Sequence, residues 1–269
     1  MGNIYLMKSI YKKIDISYLF LLVIFLSLIS GLFKDIIMLF LVIIIHETGH
    51  IITSLYYGWK IKKISISLCG GYIYYDEVID KPFKEEFLIS ISGFLIQLLF
   101  LFITFILYKN NFLDGKDFYL IKKYNTAVLL FNMLPIIPLD GSKIFNLFLN
   151  VFLSYKVSLK ILNLISFFTL AIIILCFLLL NIQVECSYIM VFSFLIKNIL
   201  TSIKDIPYLF NRFLFERYKC PITKGKYCYI KGYKLDKMKR QKKHLFLIND
   251  KAHSEKKVLS KKFDYLSIL

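Results

Sequence analysis

Histidine is scarce in this chain, four in 269 residues, and two of the four, His244 and His253, lie in a polar C-terminal stretch. Carboxylates are scarce too, 18 Asp and Glu against 35 Lys and Arg, and Asp140 is the sole one between Asp117 and Glu185. The five cysteines, Cys69, Cys176, Cys186, Cys220 and Cys228, follow no repeated spacing and fall mostly in or beside apolar segments. They read as reduced thiols, which argues against a disulfide scaffold. A soluble surface is missing as well, because 58% of the residues are hydrophobic. Such a chain lives in a bilayer.

The two remaining histidines stand together in the apolar run 43–52, as His46-Glu47-Thr48-Gly49-His50. On a helix, the i, i+4 spacing puts both imidazoles on one face, where they can bind one zinc ion. The same turn sets Glu47 beside them for work on a metal-bound water. With this composition, random placement would give about 0.002 matches to the H-E-x-x-H pattern, so coincidence is a poor explanation.

Taken in order, the apolar segments predict about six transmembrane helices, at 18–33, 36–57, 88–108, from 124 onward, 159–180 and 186–200. The first is kept as a span rather than a cleaved signal because no small-residue cleavage site follows it. Between the second and third spans, 58–86 is too polar to cross. There Ile64, Ile66 and Leu68 alternate, Gly70-Gly71 follow, and Tyr72-Ile73-Tyr74 come next, a strand, turn and strand pattern. This hairpin is expected at the membrane surface or dipping into it, and reads either as an ordinary loop with no role or as an exposed edge that receives an extended substrate by strand addition, with Gly70 and Gly71 in the substrate-binding region.

A second informative stretch runs from Asn132 to Lys143, with Asn132, Pro135, Pro138, Asp140 and Gly141 in an N-x-x-P-x-x-P-x-D-G pattern. Two prolines break a helix in apolar surroundings and free backbone groups that protein or water must satisfy. An ionised carboxylate at membrane depth costs about 2.5–3.5 kcal/mol on insertion scales, so Asp140 needs a partner. It reads either as a helix-end cap at the water interface or as a third zinc ligand.

The net charge of +17 is concentrated late, with 18 Lys and Arg against 6 Asp and Glu from Lys204 to the end. A tail of this kind is expected against anionic lipid on the cytoplasmic side. Nucleic acid is not expected as a partner, since the tail carries no recognisable binding domain. The lysines at 60, 62, 63, 81, 84, 156 and 160 outnumber those expected on the opposite face, which places both termini in the cytoplasm. The reading is thus an all-α polytopic membrane protein with a small membrane-associated β-hairpin after the second span. Residues 1–203 form the six-span domain, 58–86 its cytoplasmic-side hairpin loop, and 204–269 a basic cytoplasmic tail, a membrane-surface appendage that is partly disordered. A Cys220, Cys228, His244 and His253 metal site fits no usual zinc spacing.

H-E-x-x-H in the second span followed by N-x-x-P-x-x-P-L-D-G resembles the site-2 protease family of intramembrane zinc metalloproteases. The compact six-span layout is similar to its sporulation members, which act on a membrane-associated sigma-factor precursor. The resemblance implies one zinc on His46, His50 and Asp140, Glu47 as catalytic acid/base, and Asn132 and Pro138 in the loop shaping the substrate cleft. It also implies a membrane-associated protein substrate and inhibitory membrane proteins as partners. Where family members often have Gly-Pro and a nearby Asn in the third span, this chain has Gly93-Phe94 and Gln97. Its tail is too short and too basic for the CBS domain that sporulation members carry. The competing class is a non-proteolytic membrane zinc protein, a metal transporter or pseudoprotease scaffold. Transporters, however, show repeated polar helices, whereas the ionisable groups here concentrate in one motif pair.

Overall fold

A computed structural model describes residues 14–16, 31, 33–67, 70–75, 79–181, 186–222, 227–248 and 251–264. The first expected span, 18–33, falls almost wholly outside them. The chain forms two compact units, one from 1–77 with 87–133 and the other from 78–86 with 134–269.

In the first unit, helix α1 (Phe33–Tyr56) carries the histidine motif in its C-terminal half. It stops where Gly58 takes φ +70°, the left-handed conformation that suits glycine after a helix. The Trp59 N–H donates to the Ser54 carbonyl at 2.9 Å and that of Gly58 to Leu55 at 3.0 Å, which satisfies the last turn. The chain then enters strand β2 (Ile61–Ser67), which pairs antiparallel with β3 (Gly70–Tyr75) and parallel with β1 (Ile14–Ile16). Gly70 and Gly71 do not form the turn of this hairpin. They open β3, in register with Ser67 and Ile66, and residues 68–69 lie outside the described part.

Two long helices complete this unit, the first of them from residue 87 onward. Helix α2 (Phe83–Lys109) has Glu85 and Glu86 in its first turn and Lys109 in its last, signs that complement the helix dipole. Helix α3 (Gly115–Met133) follows. Tyr124 on α3 donates to Asp35 on α1 at 2.6 Å. Gly49 of α1 packs on α2 so closely that a Cβ there would lie 2.6 Å from the Ser92 carbonyl oxygen. Small residues let two apolar helices approach in this way.

The second unit contains helices α4 (Asp140–Phe152), α5 (Tyr155–Leu179) and α6 (Cys186–Lys219). The expected partly disordered tail is corrected here. Helix α6 runs on well past residue 204, and strands β4 (Tyr227–Lys231), β5 (Lys243–Ile248) and β6 (Lys251–Ser254) form a sheet in the order β4-β5-β6, followed by helix α7 (Glu255–Phe263). Phe213, Leu214, Met238, Phe246 and Leu259 are fully buried in one apolar cluster made by α5, α6, this sheet and α7. Burial on that scale outweighs the repulsion of scattered surface lysines. The chain is mostly helical, as expected, with more sheet than one hairpin. Among the described residues, α1, α2 and α5 are long and apolar enough to cross a membrane.

Candidate metal centre

His46 and His50 lie one turn apart on α1, 1% and 4% exposed. Each ring is held from behind by α2. The Nδ1 atom of His50 lies 2.7 Å from the main-chain carbonyl oxygen of Ile89, which can only accept, so Nδ1 carries the proton. The Nδ1 atom of His46 lies 2.9 Å from the Gln97 Oε1 atom, assigned as acceptor by the same logic. In both neutral rings this leaves the lone pair on Nε2, and the two Nε2 atoms face one another at 3.1 Å.

Two lone pairs at that distance repel unless a cation or proton is shared between them. Two nitrogens on a tetrahedral zinc with ligand bonds of 2.0–2.1 Å stand roughly 3.3 Å apart, so the pair fits that ion. Gly93 makes room for the rings. A Cβ there would lie 2.6 Å from both His46 Cε1 and His50 Nε2, so only glycine leaves the imidazoles in place. The Phe94 ring stands edge-on to His46, with centroids 5.8 Å apart. Glu47, half-buried, follows His46 directly on α1.

In the second unit, Asp140 is the first residue of α4 and is 5% exposed. Its carboxylate accepts from the Lys143 ammonium at 2.8 Å. The segment before it, 134–139, is broken as the two prolines require, and Ser166 of α5 serves its freed backbone. The Ser166 hydroxyl oxygen accepts from the Ile137 N–H at 3.2 Å and lies 3.2 Å from the Pro135 carbonyl. Pro138 sits in this break, and Asn132, in the last turn of α3, donates to the Val128 carbonyl at 3.1 Å.

Sequence reasoning missed the carbonyl of Ile89, since a main-chain acceptor carries no residue signature. It also left open what stands in place of the family's usual Asn. Gln97, one of few amides in an apolar run, was the available signal. The Cys220, Cys228, His244 and His253 combination is not a metal site. His244 Nδ1 lies 2.6 Å from Glu255 and its Nε2 accepts from the Lys239 N–H at 3.0 Å, so both nitrogens are engaged.

The family described as Peptidase family M50 matches residues 35–115, which include the motif helix and α2. Stage IV sporulation protein FB of Bacillus subtilis is 31% identical over 193 residues, 72% of this chain and 67% of that protein. A zinc metalloprotease of Methanocaldococcus jannaschii is 31% identical over 130 residues, 46% of this chain and 37% of that protein. The solved structure of a site-2 protease from Methanocaldococcus jannaschii matches with a TM-score of 0.54 and 26% identity, over 71% of this chain and 91% of that one. The chain therefore belongs to peptidase family M50, the site-2 protease family of intramembrane metalloproteases, whose cofactor is zinc.

Proposed function

We propose that this protease hydrolyses a peptide bond in or beside the membrane-embedded segment of a pro-protein, and that a membrane-associated sigma-factor precursor in sporulation is its substrate. Kinship with stage IV sporulation protein FB supports the choice of process. The observation that carries the chemistry is the pair of imidazoles whose Nε2 atoms converge while their Nδ1 atoms are held.

His46, His50 and Asp140 would hold the zinc. All three are buried, each within its own unit, and two imidazoles with one carboxylate match the donor set of catalytic zinc sites. Bound there, zinc supplies Lewis acidity toward water and toward the scissile carbonyl. Glu47 takes the proton of the attacking water and hands it to the leaving amide nitrogen. A helical substrate hides its peptide bonds, so the substrate unwinds first. The broken segment holding Pro138, together with Asn132, shapes its cleft. Strand β3, starting at Gly70 and Gly71, offers an edge for an extended segment, since among the described residues it is paired on one side only.

The chain crosses the membrane six times with both termini in the cytoplasm, as the lysine distribution supports. The basic C-terminal region rests on anionic lipid, and inhibitory membrane proteins regulate the enzyme. The test is co-expression with candidate membrane-associated pro-proteins. The parent cleaves its substrate, while Glu47→Gln leaves it intact and still carries zinc by elemental analysis. Undiminished cleavage by Glu47→Gln would overturn the proposal.

A further inference from the structure

We propose that Gln97 is a positioning residue for the metal, its side-chain carbonyl holding His46 in the tautomer and orientation that turn Nε2 toward the ion. This deepens the zinc-site reading above and rests on it.

Ile89, Gly93 and Gln97 are spaced by four along α2 and so form one stripe, which faces the histidines of α1, themselves spaced by four. Each member does something different. Ile89 offers a main-chain carbonyl to His50 at 2.7 Å, Gly93 offers the absence of a side chain, and Gln97 offers its carbonyl to His46 at 2.9 Å. The acceptor for His50 is present whatever residue stands at 89. The acceptor for His46 exists only because residue 97 is an amide.

Packing does not explain that amide. Gln97 is 0% exposed inside a helix apolar enough to cross a membrane, and its Nε2 atom has no hydrogen-bond partner among the described residues. A side chain kept polar in such surroundings, and only half satisfied there, makes its one hydrogen bond among the described residues to a histidine. Asn125 of α3, equally buried, donates to the Gln97 main-chain carbonyl at 3.3 Å and anchors this part of α2. Partners behind metal-binding histidines fix the tautomer and raise ligand basicity.

The experiment measures zinc affinity of the purified full chain in detergent, by competition with a chelator of known affinity. Gln97→Met keeps length and removes the acceptor, and lowers zinc affinity about 10–100-fold. Gln97→Glu keeps the acceptor and retains the parent's affinity. The zinc-free Gln97→Met protein still unfolds in a cooperative thermal transition, which shows that it is folded, since apolar surface replaces the half-satisfied amide while the His46 Nδ1–H loses its acceptor. Equal zinc affinity of Gln97→Met and parent overturns the proposal, as does a Gln97→Glu protein that binds as poorly as Gln97→Met. Should Gln97→Met fail to fold, the Gln97→Glu affinity decides alone. A folded parent that binds no zinc overturns the zinc site itself, which separates that failure from failure of the Gln97 role.

Discussion

The Nε2 atoms of His46 and His50 stand 3.1 Å apart, and both rings arrive there with their opposite nitrogens already bound by α2. The proposed metal site would therefore be organised by two helices before any substrate is considered. Helix α1 supplies the nitrogens, and α2 supplies their orientation and the space they occupy. Preorganised ligands of this kind spare the ion the cost of ordering them.

Gly93→Ala tests the space. The added Cβ would meet both imidazoles at 2.6 Å, and relieving such overpacking costs about 1–3 kcal/mol, here at the expense of ring position. Zinc affinity is expected to fall at least about tenfold, read by zinc titration of the folded variant. Unchanged affinity would mean that the rings can shift freely.

Asp140→Asn tests the proposed third ligand. The amide keeps the size of the carboxylate and removes its charge, so zinc occupancy of the purified protein is expected to drop, read by elemental analysis. A variant holding zinc as tightly as the parent removes Asp140 from the ligand set.

Arg217→Met tests the C-terminal region as a folded module. The Arg217 guanidinium is 1% exposed and pairs with Asp80 and Glu255, each at 2.8 Å. Removing it takes the guanidinium from two buried carboxylates, which keep only their Gln241 and His244 partners and the more distant Arg240, and is expected to destabilise the module by about 3 kcal/mol. Hydrogen exchange on β5 would report the loss, and unchanged protection there would refute it.

Acid should act on the same cluster. Burial by itself pushes the Glu255 carboxyl up, but the hydrogen bond from His244 and the Arg217 charge outweigh it, so the group sits below its ordinary value of 4.5. A lowered carboxylate adds stability that is complete above the ordinary value and is lost as pH falls beneath it. The module is therefore expected to loosen on the acid side of about 4.5, and Glu255→Gln is expected to flatten that dependence. Proteolysis of the region followed against pH checks both.

Much of this was legible residue by residue. The 43–52 run predicted an apolar helix bearing two histidines on one face, and α1 carries them so. The prolines at 135 and 138 predicted a break needing backbone partners, and Ser166 of α5 provides them. The C-terminal sheet was not legible. Strand β4 pairs parallel with β5 across an intervening loop and 3-10 turn, and a charged, lysine-rich sequence conceals how completely Met238, Phe246 and Leu259 are buried.

What the sequence alone determined is the donor pair with its neighbouring glutamate, because i, i+4 spacing on a helix is local geometry fixed by the backbone. Only the tertiary structure decided what stands behind the rings. The partners of His50 and His46 lie 39 and 51 residues further along the chain. One is a main-chain carbonyl, and the room at Gly93 is a missing side chain, so neither has a local pattern that could announce it before α1 and α2 are packed together.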